Sequence, residues 1–202
     1  YLMVGEYDLA LKDFDKAIEL NAVSADAYSN RGNAFQENGN YPKAIEDLNK
    51  AISLSPGEAR FYANRANVYA VKKEFDSALA DFNKSLELSP IAFAFYGRAR
   101  LYQARQNVDE AIKDYTKALE INPNFAEAYN NRGLIYQTRG NLDAALQDFT
   151  KAVSLNEKNG IYYFNRANIY VLKKDLALAV RDFTKTIEIF PLWAEAFRRR
   201  SD

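Results

Sequence analysis

Arginine and aspartate recur along this chain at a fixed interval: Arg31, Arg65, Arg98, Arg132, Arg166 and Arg200 against Asp13, Asp47, Asp81, Asp114, Asp148 and Asp182. A guanidinium fork and a carboxylate make paired, charge-assisted hydrogen bonds, so these series have the chemistry of structural ion pairs rather than of an anion track. Pairing each aspartate with the arginine of the following unit, Asp13 with Arg31 and so on to Asp182 with Arg200, uses all twelve charges. Pairing within a unit leaves two over, which favours bridges between units modestly and leaves both pairings open. A third series is asparagine, at Asn30, Asn64, Asn131 and Asn165, interrupted by Gly97, with Asn33, Asn67 and Asn168 three residues further on. A carboxamide both donates and accepts, which is what the backbone of an extended peptide offers in return.

Other chemistry is excluded by composition. There is no cysteine and no histidine, so disulfides, thiolate nucleophiles, imidazole bases, haem ligation and the usual zinc sites are absent. No glycine-rich phosphate loop, metal-ligand cluster or nucleophile–base pair is present, so no catalytic residue, metal or cofactor is expected. Basic and acidic residues both number 27, and this zero net charge offers neither nucleic acid nor an anionic membrane a basic excess. No apolar run approaches the roughly 18 residues of a membrane span, and no leader is visible at the start. The chain reads as soluble; the cytoplasm is favoured, although the lack of cysteine fits any compartment.

These side chains must be positioned by a repeating element. Pro56, Pro90, Pro123 and Pro191 lie 34, 33 and 68 residues apart, and eight glycines and five prolines are too few for a chain of many β-turns. Counting 34 positions from Ala25, position 4 is aromatic (Tyr28, Tyr62, Phe95, Tyr129, Tyr163, Phe197) and position 8 is small (Gly32, Ala66, Ala99, Gly133, Ala167, Ser201). Position 11 is aromatic again (Tyr1, Phe35, Tyr69, Tyr102, Tyr136, Tyr170). Steps of four and three define one helical face. A second helix follows, with alanine at position 20, Phe14, Leu48, Phe82, Tyr115, Phe149 and Phe183 at position 24, and a small residue at position 27. Small residues let helix axes approach and aromatics fill the space between them.

This pattern resembles the tetratricopeptide repeat along the whole chain. The resemblance implies an all-α fold, a right-handed α-solenoid of helix-turn-helix hairpins forming a single domain over 1–202. Its parts are a partial repeat 1–24, repeats 25–58, 59–91, 92–125, 126–159 and 160–193, and a partial helix 194–202. Ala22 and Glu157 stand where the family has proline, and the second repeat is one residue short before Ala92, which predicts an altered turn.

In the family the first helices line a concave wall, which implies that positions 2, 5, 6, 9, 12 and 13 face a groove. First helices about 10 Å apart and a peptide rising about 3.3 Å per residue would let one asparagine hold about every third peptide unit. The expected peptide-binding set is Asn30, Asn33, Asn64, Asn67, Phe93, Tyr96, Arg100, Asn131, Ile161, Phe164, Asn165, Asn168 and Arg199. Among these, Phe93, Tyr96, Ile161 and Phe164, with Val71, Val171 and Leu172, are the expected anchor surface. Arg60, Arg100, Arg198 and Arg199 would meet acidic partner groups, and Asp26, Glu37, Glu127 and Glu195 basic ones. The carboxylate clamp of chaperone adaptors in the family is absent, since Ser29, Phe93 and Gly97 stand where its cations belong. The resemblance thus implies a non-catalytic scaffold for a protein or peptide. The alternatives are a structural unit that homo-oligomerises end to end through open solenoid ends, or a recruitment region of a larger enzyme.

Overall fold

The computed structural model describes residues 4–201, and Tyr1, the first residue assigned to position 11, lies outside them. The described residues form twelve helices and no strand. α1 is Val4–Leu20, α2 Ala25–Glu37, α3 Tyr41–Leu54, α4 Ala59–Val71, α5 Phe75–Leu88 and α6 Ala92–Ala104. After them come α7 Val108–Ile121, α8 Ala126–Thr138, α9 Leu142–Leu155, α10 Gly160–Leu172, α11 Leu176–Ile189 and α12 Ala194–Ser201. They are the paired helices of an all-α solenoid. The chain divides into two compact units, one ending at Asn107 and one beginning at Val108. In the first, α2 packs on α3, α3 on α4, α4 on α5 and α5 on α6; in the second, each helix from α7 to α12 packs on the next.

Local chemistry sets the helix ends. Ser24, Asn40, Asn141, Asn159 and Asp175 each accept a backbone N–H of the first turn, satisfying donors that have no partner inside the helix. Pro42 sits in the first turn of α3, where its missing N–H removes no helical bond. Repeats are joined by four-residue turns such as 55–58, whereas the turn before Ala92 has only three, 89–91, as the shortened second repeat predicts. At Ala22 and Glu157 the turn keeps its four residues without proline, with Asn21 and Asn156 accepting the N–H two residues on as Asn122 does beside Pro123.

The core runs along the helix pairs. Position 24 is fully buried at Leu48, Phe82, Tyr115, Phe149 and Phe183, between alanines such as Ala44, Ala78, Ala111 and Ala145 at position 20. The first helices carry a second buried stripe that the sequence pattern did not reveal, at positions 3 and 10. There Phe61 packs on Ala51, Val68 on Ala44 and Leu48, Tyr162 on Ala152 and Val153, and Ile169 on Ala145 and Phe149. Each of these contacts joins one repeat to the second helix of the repeat before it. A first helix is therefore apolar on two sides, which leaves only a narrow strip for polar and functional side chains.

Candidate functional site

The arginine at position 7 bonds inside its own repeat, not to its neighbour's aspartate. Arg31, Arg65, Arg132 and Arg166 each donate through Nε and Nη2 to both carboxylate oxygens of Asp47, Asp81, Asp148 and Asp182, at 2.6–3.0 Å. Of the two pairings the sequence left open, the one within a repeat is formed. Charge counting favoured the bridges between repeats because it weighs every pairing equally, but the tight helical hairpin holds residues 16 apart face to face. Four arginines send a third arm, Nη1, to the preceding repeat: it reaches Asp15, Asn49, Asn83 and Thr116 from Arg31, Arg65, Arg98 and Arg132. The aromatics of positions 4 and 11 flank each guanidinium at 5.6–6.0 Å. The hydrogen bonds they donate to Asp47 and Asp81 raise the pKa of Arg31 and Arg65 against the cost of burial. For Arg132 and Arg166 burial weighs most and opposes the charge, yet Asp148 and Asp182 outweigh it and the pKa is again raised. These arginines are structural clamps rather than ligand groups.

The first unit holds a cleft of about 340 Å³ lined by Asn33, Gln36, Glu37, Asn64, Asn67, Val71, Phe93, Tyr96 and Arg100. Helices α2, α4 and α6 supply these residues from positions 5, 6, 9, 12 and 13, with Phe93 at position 2. Six of the seven candidates from this unit meet there, and Asn30 alone lies apart, exposed on α2. Two of the amides are held in fixed orientations. Asn64 donates one N–H to Ser29 Oγ of the preceding repeat at 3.1 Å, and Asn67 one to the Ala63 carbonyl at 3.0 Å. A primary amide has two N–H bonds and a carbonyl, so each keeps hydrogen-bonding capacity beyond the bond that orients it. Beside them Val71 and Phe93 are 51% and 44% exposed, a large apolar area for side chains on first helices.

A smaller slot of about 150 Å³ adjoins the cleft, sharing Asn67, Val71 and Arg100, and its other walls are Ala70, Phe75, Gly97, Leu101 and Ala104. Gly97, where the asparagine series breaks, has a physical reason to lack a side chain. A Cβ there would lie 2.4 Å from the buried Phe82 ring.

In the second unit the candidates are arranged differently. Asn165 donates to Asn130 Oδ1 at 2.8 Å, Asn130 in turn donates to Asn131 Oδ1 at 3.3 Å, and Asn168 donates to the Phe164 carbonyl. Ile161 and Leu172 are exposed. Phe164 departs from the expected anchor role: its ring stacks on Trp193 at 4.5 Å and meets the edge of Phe183 at 5.6 Å, so it is spent on packing. Arg199 donates to Glu195 at 3.0 Å on its own helix, and Arg198 pairs with the same carboxylate.

One set of polar residues went unread in the sequence. Asp76, Asp109 and Asp143, at position 18, pair with Arg105, Arg139 and Lys173, at position 14 of the next repeat. Pro42 occupies that position in the first full repeat, and Lys72 turns instead to Glu74. The recurring acid and base were visible in the sequence, but nothing there indicated that turn residues of one repeat reach the next. Among the described residues no cluster of carboxylates is arranged to hold a metal ion, and no helix is long and apolar enough to cross a membrane.

Tetratricopeptide repeat models match residues 25–58, 59–90, 126–159 and 161–191, and a TPR repeat model matches 1–39 and 99–140. No curated protein matches the sequence. Among solved structures, the TPR protein YrrB, reported with an unusual peptide-binding site, is 26% identical over 94% of this chain and 98% of its own, with a TM-score of 0.68. MamA is 26% identical over 78% of this chain and 97% of its own, with a TM-score of 0.62. PilF of Pseudomonas aeruginosa, 20% identical over 87% of this chain and 80% of its own, has a TM-score of 0.81 and is similar in fold.

Proposed function

Because the chain belongs to the tetratricopeptide repeat family, whose members are protein-interaction scaffolds, we propose that it binds an extended protein segment in the cleft of its first unit and performs no chemistry itself. The observation that carries this reading is the convergence of Asn33, Asn64, Asn67, Phe93, Tyr96 and Arg100 on one open cleft. Asn64 and Asn67, already oriented by one bond each, would grip peptide groups without first losing rotamer freedom. Phe93 and Val71 would cover the partner's apolar side chains. Asn131, Ile161, Asn165 and Asn168 occupy the equivalent positions of the second unit and would hold a chain in the same manner, without Phe164 and Arg199. YrrB, similar over nearly its whole length, supports a peptide as the kind of ligand.

The test is peptide capture by the intact chain and by the triple variant Asn33→Ala, Asn64→Ala, Phe93→Ala, each displayed against a random peptide library. Capture is expected to disappear in the variant while its helical circular dichroism stays that of the parent. Equal capture by the two proteins would overturn the reading.

A further inference from the structure

Four arginines stand at positions expected to meet acidic groups, and the structure separates them. Arg60 pairs with Asp26 and Glu58, and Arg198 and Arg199 share Glu195. Arg100 is different. It is exposed, its guanidinium lies 5.8 Å from the Tyr96 ring, and no described carboxylate lies within ion-pair distance of it. In a chain whose arginines are otherwise largely satisfied by their own acids, this one points its charge at an amide-lined cleft. It also borders the apolar slot of Ala70, Val71, Phe75, Leu101 and Ala104, whose wall Gly97 completes.

We propose that the first-unit cleft selects an internal peptide segment bearing a side-chain carboxylate two residues from an apolar side chain, the carboxylate on Arg100 and the apolar group in the slot beside it. This rests on the cleft reading above and adds the ligand's chemistry. Residues two apart in an extended strand point to the same face, about 7 Å from each other, which suits two neighbouring subsites on one wall. A guanidinium takes a carboxylate through two parallel N–H bonds, and its tyrosine neighbour leaves that fork free. At the far end of the same cleft Glu37 repels a second acid, so the selected segment is acidic at the Arg100 end only. The carboxylate belongs to a side chain rather than to a terminus, because among the described residues Arg100 is the one cation lining the cleft and its slot and no second cation closes the site around a chain end.

The experiment uses the intact chain and a library of peptides of about nine residues, blocked at both ends, with a second arm of acid-free peptides carrying a free C-terminus. Wild-type protein is expected to enrich Asp or Glu two residues from an apolar residue. Arg100→Gln is expected to bind the selected acidic peptide about tenfold more weakly and to treat it and its amide counterpart alike. Ala104→Leu, at an exposed position, is expected to lose apolar selection while keeping the preference for acid. Absence of acid enrichment, unchanged discrimination by Arg100→Gln, or capture of the acid-free peptides through their free ends would each overturn the proposal. If captured peptides ignore Arg100→Gln yet are lost in the Asn33, Asn64 and Phe93 variant, the selectivity fails and the cleft reading stands. No capture by any protein overturns both.

Discussion

Asp182 is the most secluded partner of the arginine–aspartate clamps, its side chain 1% exposed and that of Arg166 9%. Truncating one member of a buried pair leaves the other charge without compensation, at a cost of about 3–5 kcal/mol. Asp182→Ala should therefore lower the urea midpoint strongly. Asp47→Ala should cost about half as much, since Arg31 is more exposed and keeps Asp15. Equal effects of the two substitutions would show that the clamps do not act through burial. The participants in these clamps were legible in the sequence as two recurring charges, but their pairing was not, because it depends on which helix faces lie opposite across each turn. The ring packing of Phe164 was hidden for a similar reason. Its position in the repeat matches that of groove residues, and only the placement of Trp193 turns its ring into the packing.

At the scale of the helical hairpin, each first helix ends in a turn whose position 15 is left-handed: Gly39, Lys73, Gln106, Gly140 and Lys174 have φ of 62–76°. The next residue's N–H reaches back five residues, Asn40 to Phe35 and Asp175 to Tyr170, which closes the helix end. Glycine takes this conformation freely, whereas a residue with a Cβ is strained there. Lys73→Gly and Lys174→Gly should each raise stability by about 0.5–1 kcal/mol, read from denaturation midpoints. Lower midpoints would mean that the lysine side chains contribute more than the strain removes. The hairpins themselves were plain in the sequence, since positions 4, 8, 11, 20, 24 and 27 keep their residue types. Positions 3 and 10 were hidden because their residues range from Ala27 and Ala34 to Phe61 and Ile169. They pack against another repeat, so their size follows that neighbour and not the repeat's own pattern.

For the molecule as a whole, the absence of histidine and cysteine removes every side chain that ordinarily titrates near neutrality. The shifts that do occur point outward from that range. Arg31, Arg65, Arg132 and Arg166 are raised, so their contribution is complete below the ordinary arginine value and is lost only above it. Asp109 and Glu195 are lowered, by hydrogen bonds from Arg139 and Arg199 foremost, so what they contribute is present above the ordinary carboxylate value and is lost as pH falls through their own. The melting midpoint should hold within about 2 °C from about pH 6 to 8.5. A larger drift would mean that a coupling among buried groups has been missed. The central claim is that the amides lining the cleft of the first unit receive a partner's backbone. Its most direct test follows the side-chain amide resonances of Asn33, Asn64 and Asn67 in a heteronuclear NMR spectrum as a captured peptide is titrated in. Shifts of these three, with Asn38 and Asn49 outside the cleft unmoved, are the predicted result; movement of the outer amides with the cleft asparagines silent would contradict it.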